Sequence, residues 1–158
     1  MTTYIGVDPG SCSGCIAMLT VKDNCIVGLA TIEFSKMTTY EWYKELKDYS
    51  SEFSCRATLE KVHGMPGMST VAVSSFMRNV GHIEMALLAC EIPFIEVTPQ
   101  SWMKYYGLKK DKEESKTEWK RRLREHLQRI LPEFKATNDT ADAMLIAYYN
   151  WKTCGEKA

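Results

Sequence analysis

Strand-like apolar runs broken by turn signals occupy the chain as far as Phe34, and farther on apolar residues recur at helical spacing, which limits the folds open to the chain. Tyr4-Ile5-Gly6-Val7-Asp8 reads as a first strand, and Pro9-Gly10-Ser11 ends it in a turn. A second strand is expected over Ser13 to Thr20, where Cys15, Ala17 and Leu19 alternate with Ile16 and Met18. Asp23-Asn24 is a hairpin turn signal, so a third strand is expected from Cys25 to Phe34. Three antiparallel strands thus open the domain.

Helix signals follow. Thr38-x-x-Glu41 is a capping box that predicts a helix through about Tyr49. Ala57 to Val62 is expected to be a fourth strand, with Glu60 at its end, and Gly64-Met65-Pro66-Gly67 a loop. From Ser69 to Cys90, the spacing of Phe76, Val80, Ile83 and Leu87 predicts a long amphipathic helix. Pro93 to Val97 reads as a fifth strand. Thr98 as N-cap with Pro99 at the first helical position opens a short helix. Gly107 to Lys112 is a basic loop. Ser115-x-x-Glu118 is a second capping box, starting a helix with Trp119, Leu123, Leu127 and Ile130 on one face that ends before Pro132. Asn138 or Asp139 is expected to cap a last helix through about Lys152. The order βββαβαβα with a closing helix predicts an α/β layer architecture around a five-stranded mixed sheet.

At 158 residues the chain has the length of one ordinary domain, and a single domain over residues 1–158 is expected. With 45% hydrophobic and 25% charged residues it has the balance of a soluble globular protein. No apolar run approaches the roughly 18–20 residues that span a bilayer. The start, Met1-Thr-Thr-Tyr-Ile-Gly, lacks the pattern of a signal peptide, so a cytoplasmic location in the host cell, with no membrane partner, is expected. Cys12-Ser13-Gly14-Cys15 is a lone C-x-x-C without a second pair or nearby histidines, and the six cysteines are expected to be reduced thiols.

The 20 basic and 20 acidic side chains cancel, but they are not evenly spread. Residues 104–129 hold ten Lys or Arg against five Asp or Glu, so that segment is net +5 and the remainder net −5. A basic arm beside an acidic remainder suits a protein that grips phosphates in one place and holds cations in another.

The acids themselves are unusually placed. Asp8 ends a hydrophobic strand, where burial is costly unless opposite charge offsets it. Glu60 ends the fourth strand, which is free to lie beside the first. Asp139 and Asp142 stand three apart at the start of the last helix, a spacing that puts both on one face, roughly 5–6 Å apart at Cβ. Each alone is as readily a helix cap or a solvated strand end. Together they are four oxygen donors from separated segments, the set that Mg²⁺ or Mn²⁺ prefers, and two such ions about 3.5–4 Å apart serve phosphodiester hydrolysis.

With these motifs in hand the chain resembles the RuvC family of Holliday junction resolvases, in the shorter form carried by bacteriophages. Ile5-Gly-Val-Asp-Pro-Gly10 is similar to the family's first motif, Leu59-Glu60-Lys61-Val62 to its second, and Asp139-Thr-Ala-Asp-Ala143 to its third. Ser74-Ser-Phe-Met-Arg-Asn-Val-Gly81 and Val97-Thr-Pro-Gln-Ser-Trp102 resemble its connecting segments. The resemblance implies a ribonuclease H-like fold and a homodimer, paired through the long helix from Ser69 to Cys90, that nicks two strands of a four-way DNA junction symmetrically. It implies Asp8, Glu60, Asp139 and Asp142 as ligands of Mg²⁺ or Mn²⁺, two ions per site, with Lys104 and Lys116 as basic helpers at the scissile phosphate. Arg78, Lys109, Lys110, Lys112 and Lys120 are expected DNA contacts. Where family members of cellular bacteria often carry an aromatic residue three positions after the second-motif acid, this chain has His63, which can stack on a base and hydrogen-bond. The loop from Gly64 to Met68 is a second element expected to enter the junction.

Other readings are a nuclease of the same fold acting on ribosomal RNA precursors and a non-catalytic binder of branched DNA. A sugar-kinase or actin-like ATPase shares a D-x-G opening but needs two such domains and a longer chain.

Overall fold

The computed structural model describes residues 1–10, 12–63 and 67–155. Its sheet has five strands: β1 (Thr2–Asp8), β2 (Cys15–Lys22), β3 (Cys25–Glu33), β4 (Ser54–Glu60) and β5 (Phe94–Val97), in the order β3-β2-β1-β4-β5. β1 pairs antiparallel with β2, and β2 with β3, while β4 is parallel to β1 and to β5. The expected mixed sheet, with its first three strands antiparallel, is therefore observed. Asp23 and Asn24, both at positive φ, form the hairpin turn between β2 and β3.

Among the described residues five α-helices flank the sheet: α1 (Thr39–Glu52), α2 (Thr70–Ala89), α3 (Pro99–Tyr105), α4 (Lys116–Ile130) and α5 (Ala141–Asn150). Both capping boxes form, at Thr38 with Glu41 and at Ser115 with Glu118, and Thr98 caps α3 ahead of Pro99. Two apolar layers result. One face of the sheet packs Ile5, Val7, Ile16 and Leu59 against Trp42 and Leu46 of α1 and Ile83 and Leu87 of α2. The other packs Ala17 and Leu19 against Leu123 and Leu127 of α4 and the small, apolar first turns of α5. Among the described residues no helix is long and apolar enough to cross a membrane, and no disulfide joins the cysteines.

Three expectations are corrected. β4 covers Ser54–Glu60 rather than residues 57–62, because Cys55 and Arg56 already pair with Thr3 and Tyr4 of β1. β2 begins at Cys15, two residues later than expected, because the Gly14 amide first closes a turn on the Gly10 carbonyl at 2.9 Å. The last helix is capped by neither Asn138 nor Asp139. Thr140 occupies the N-cap, its hydroxyl accepting from the Thr137 amide at 2.9 Å, and after Asn150 the chain continues as a π-helical turn over Trp151–Gly155. Ser11 and the expected loop residues Gly64, Met65 and Pro66 lie outside the described residues.

Gly6 sets the seat of α5. A Cβ there would stand 2.2 Å from both the Ala143 carbonyl oxygen and the Ala147 amide nitrogen. Only glycine lets β1 and α5 approach this closely. That contact brings the first turn of α5 to the end of β1.

Candidate active site

Asp8 and Glu60 occupy the same level at the carboxyl ends of neighbouring parallel strands. The register pairs Val7 with Leu59, one residue before each acid, and such strands run roughly 4.8 Å apart. Asp8 is half-buried, and the Gly10 amide reaches its Oδ1 at 3.4 Å. The turn behind it is tight: a Cβ on Gly14 would meet the Gly10 oxygen at 2.1 Å and the Asp8 oxygen at 2.6 Å. Glu60 receives a hydrogen bond from the indole Nε1 of Trp102, 2.6 Å from its Oε2.

Asp142 enters from α5, one residue before the helix segment that rests on Gly6, and is only 8% exposed. The Lys120 ammonium on α4 donates to its Oδ2. Its Oδ1 is buried with no hydrogen-bond partner among the described residues.

The three acids share one electrostatic problem. Burial, then repulsion from Asp142, raises the Asp8 carboxyl to about 7. Burial, then repulsion from Asp8, raises Glu60 to about 8, against the opposing bond from Trp102. Burial also raises Asp142, although Lys120 opposes it. Lys120 is itself pulled down by burial, but attraction to Asp142, Asp8 and Glu60 prevails and holds it above its ordinary value. One ammonium thus faces three carboxylates, and the pocket lacks positive charge.

The remaining predicted residues fall at different distances from this centre. Asp139 is exposed in the turn leading into α5, one residue ahead of the N-cap, yet its charge still acts on Asp8 and Asp142. Lys116 begins α4 and acts on Asp142 through its charge. Lys120, expected on the DNA-facing surface, lies inside the acidic pocket. Lys104, Lys109 and Lys110 rim a separate cavity of about 490 Å³ floored by Met103 and Leu108. Lys112 stands in a groove of mixed charge, where Glu114 pairs with Arg122 and Glu125 with Arg121 beside Asp111, Glu113 and Glu118. Arg78 is exposed on α2 and His63 is exposed three residues beyond the end of β4. Trp102 escaped the sequence reading as a site residue; the signal available was an indole in a motif next to a helix cap.

The donor chemistry fits a hard divalent ion. All three central groups offer carboxylate oxygens, one oxygen is orphaned, and their charge is poorly balanced. Among the described residues no three Asp, Glu, His or Cys side chains are already gathered into a ligand set, so an ion could be held here only after they reorient.

No protein-family model matches the sequence, and no curated protein matches it. Solved structures do. T. thermophilus RuvC in complex with a Holliday junction substrate superposes with a TM-score of 0.66 at 13% identity, over 97% of this chain and 96% of that one. The fold is that of RuvC. A second Thermus thermophilus RuvC structure gives a TM-score of 0.58 at 14% identity with the same coverage. In this chain the carboxyl ends of the neighbouring strands β1 and β4 and the first turn of α5 lie at one end of the sheet, where Asp8, Glu60 and Asp142 stand.

Proposed function

We propose that this chain is a metal-dependent endonuclease that resolves Holliday junctions and related branched DNA, of the bacteriophage RuvC type. The observation that carries the reading is the acid pair ending two adjacent parallel strands, joined by a helix-borne Asp142 with one orphaned oxygen, on a RuvC fold. Asp8, Glu60, Asp142 and Asp139 would hold Mg²⁺ or Mn²⁺, two ions per site. Such ions, when bound, supply Lewis acidity and lower the pKa of water. The protein's own part is to orient the phosphate and balance its charge. Lys120 and Lys116, both acting on Asp142, stand where a cation can face a developing oxyanion. The reaction adds water across the P–O3′ bond and leaves a 5′-phosphate and a 3′-hydroxyl.

Lys104 is proposed as a further basic helper at the scissile phosphate, and Lys109, Lys110, Lys112, Arg78 and His63 as DNA contacts. The basic segment then supplies affinity that falls steeply with salt. A homodimer suits a roughly two-fold junction, giving paired nicks. Support for it lies on α2, where Met77, Gly81, Met85 and Leu88 form one exposed stripe opposite the buried Val80, Ile83 and Leu87.

The test is incubation with a synthetic four-way junction, a fork, a linear duplex and a structured RNA, each with and without Mg²⁺. Paired symmetric nicks in the junction, only with Mg²⁺, are expected. Preferential RNA cutting would move the assignment to RNA processing. Junction binding without cutting under any divalent ion would make the chain a binder.

A further inference from the structure

We infer that Trp102 is a positioning residue that holds one carboxylate oxygen of Glu60 so that the other is presented as an ion ligand. The inference rests on the metal-dependent reading above and extends it to a residue outside the acidic set. Trp102 is fully buried, and a buried indole N–H needs an acceptor. Its acceptor is Oε2 of Glu60 at 2.6 Å, a residue 42 positions away in sequence.

The backbone prepares this contact. β5 pairs with β4 so that Glu60 lies opposite Val97, and the Lys61 amide donates to the Val97 carbonyl at 2.8 Å. Thr98 then caps α3, accepting from the Ser101 amide, with Pro99 at its first turn. The helix thus starts beside the end of β4, and Trp102 falls on its first turn facing Glu60. The indole is held from behind by Tyr106, edge-on with ring centroids 6.4 Å apart. The Tyr106 hydroxyl donates to the Leu145 carbonyl of α5 at 2.6 Å, on the helix that carries Asp142. One aromatic pair therefore ties the elements bearing Glu60 and Asp142 together.

Glutamate has several rotatable bonds and loses much rotamer freedom when it ligates an ion. A fixed donor on one oxygen removes part of that loss in advance, as hydrogen bonds behind metal ligands generally do.

The experiment titrates Mn²⁺ alone into the full chain by calorimetry, without DNA. Trp102→Phe keeps an aromatic ring and removes the donor. It is expected to weaken Mn²⁺ binding by about tenfold to a hundredfold, the usual range for such partners. In a Glu60→Ala background the same change is expected to add nothing, since the effect passes through Glu60. Tyr106→Phe, which loses the Leu145 bond but not the Glu60 donor, is expected to melt earlier with Mn²⁺ affinity unchanged. Unaltered Mn²⁺ affinity in folded Trp102→Phe, or an equal loss in Tyr106→Phe, overturns the inference. If Asp8→Asn and Glu60→Ala also leave Mn²⁺ binding intact, the metal-dependent reading fails and takes the inference with it. Should Trp102→Phe not fold, the wild-type indole N–H resonance of Trp102 decides: it is expected to shift on adding Mg²⁺, and an unmoved resonance overturns the role.

Discussion

The ammonium of Lys120 donates to one oxygen of Asp142, and the other oxygen of that carboxylate is buried without a partner. One ammonium is set against three carboxyl groups, so the pocket is short of positive charge. Lys120→Met removes the cation paired with Asp142 while leaving three acids in place, and a buried charge that loses its partner costs about 3–5 kcal/mol. Metal-free Lys120→Met is therefore expected to melt below wild type. Mg²⁺ is expected to raise its melting temperature more than that of wild type, because the ion then supplies the missing charge. Thermal unfolding in EDTA and in Mg²⁺ measures both.

Asp8→Asn removes a proposed ligand and one negative charge at the end of β1. Cleavage of a four-way junction is expected to fall by more than the roughly 100-fold that changes behind a metal ligand produce. Junction binding in a gel shift is expected to persist or tighten, since repulsion toward phosphate is reduced. Retained nicking by the purified variant would defeat the assignment.

Stability of the metal-free protein should fall as pH rises. Free carboxyls titrate near about 4 in the unfolded chain. Folding raises Asp8 to about 7 and Glu60 to about 8, chiefly by burial. Between those limits the folded state holds protons that the unfolded state has released, so each unit of pH favours unfolding until both acids have ionised. The melting temperature in EDTA is expected to decline from pH 5 to pH 8 and then level. Mg²⁺ should restore more at pH 8 than at pH 5. A flat profile in EDTA would contradict this account.

Gly6→Ala tests the seat of α5. Its Cβ would press on backbone atoms of Ala143 and Ala147 rather than on flexible side chains, so the helix must shift. The expected loss is about 3 kcal/mol or more, at the upper end of overpacking. Cutting is expected to suffer beyond the stability loss, because Asp142 moves with the helix. Urea unfolding and cleavage at a temperature where the variant is folded separate the two effects.

Met85 and Leu88, 62% and 61% exposed, lie on the proposed dimer face of α2. Met85→Glu with Leu88→Glu is expected to yield a monomer in analytical ultracentrifugation with an unchanged circular dichroism spectrum. A wild-type protein that is already monomeric at the concentrations used for cleavage would rule out the paired-site arrangement.

Several of these features could be read before any coordinates. Thr38, Thr98 and Ser115 cap their helices as their spacing predicts, because a cap is decided within four residues. The three opening strands follow from apolar runs bounded by turn signals, and the buried face of α2 from hydrophobic period. Asp8 and Glu60 stood out as acids closing apolar strands. The cap of α5 was misread because Thr137 and Thr140 satisfy each other's polar groups in the turn, leaving Asp139 outside the helix.

The sequence by itself determined the order of the strands and helices, the starts of α1, α3 and α4 and the identity of the acids, since these depend on neighbours a few residues away. Only the tertiary structure decided which of ten basic side chains in residues 104–129 enters the pocket. That choice falls to Lys120 because α4 is rotated by burying Trp119, Leu123 and Leu127 against the sheet. It also decided that Trp102 meets Glu60 and that Asp142 meets Lys120. Such meetings depend on strand register and on how closely α5 approaches Gly6, and those are properties of packed surfaces that no local pattern records.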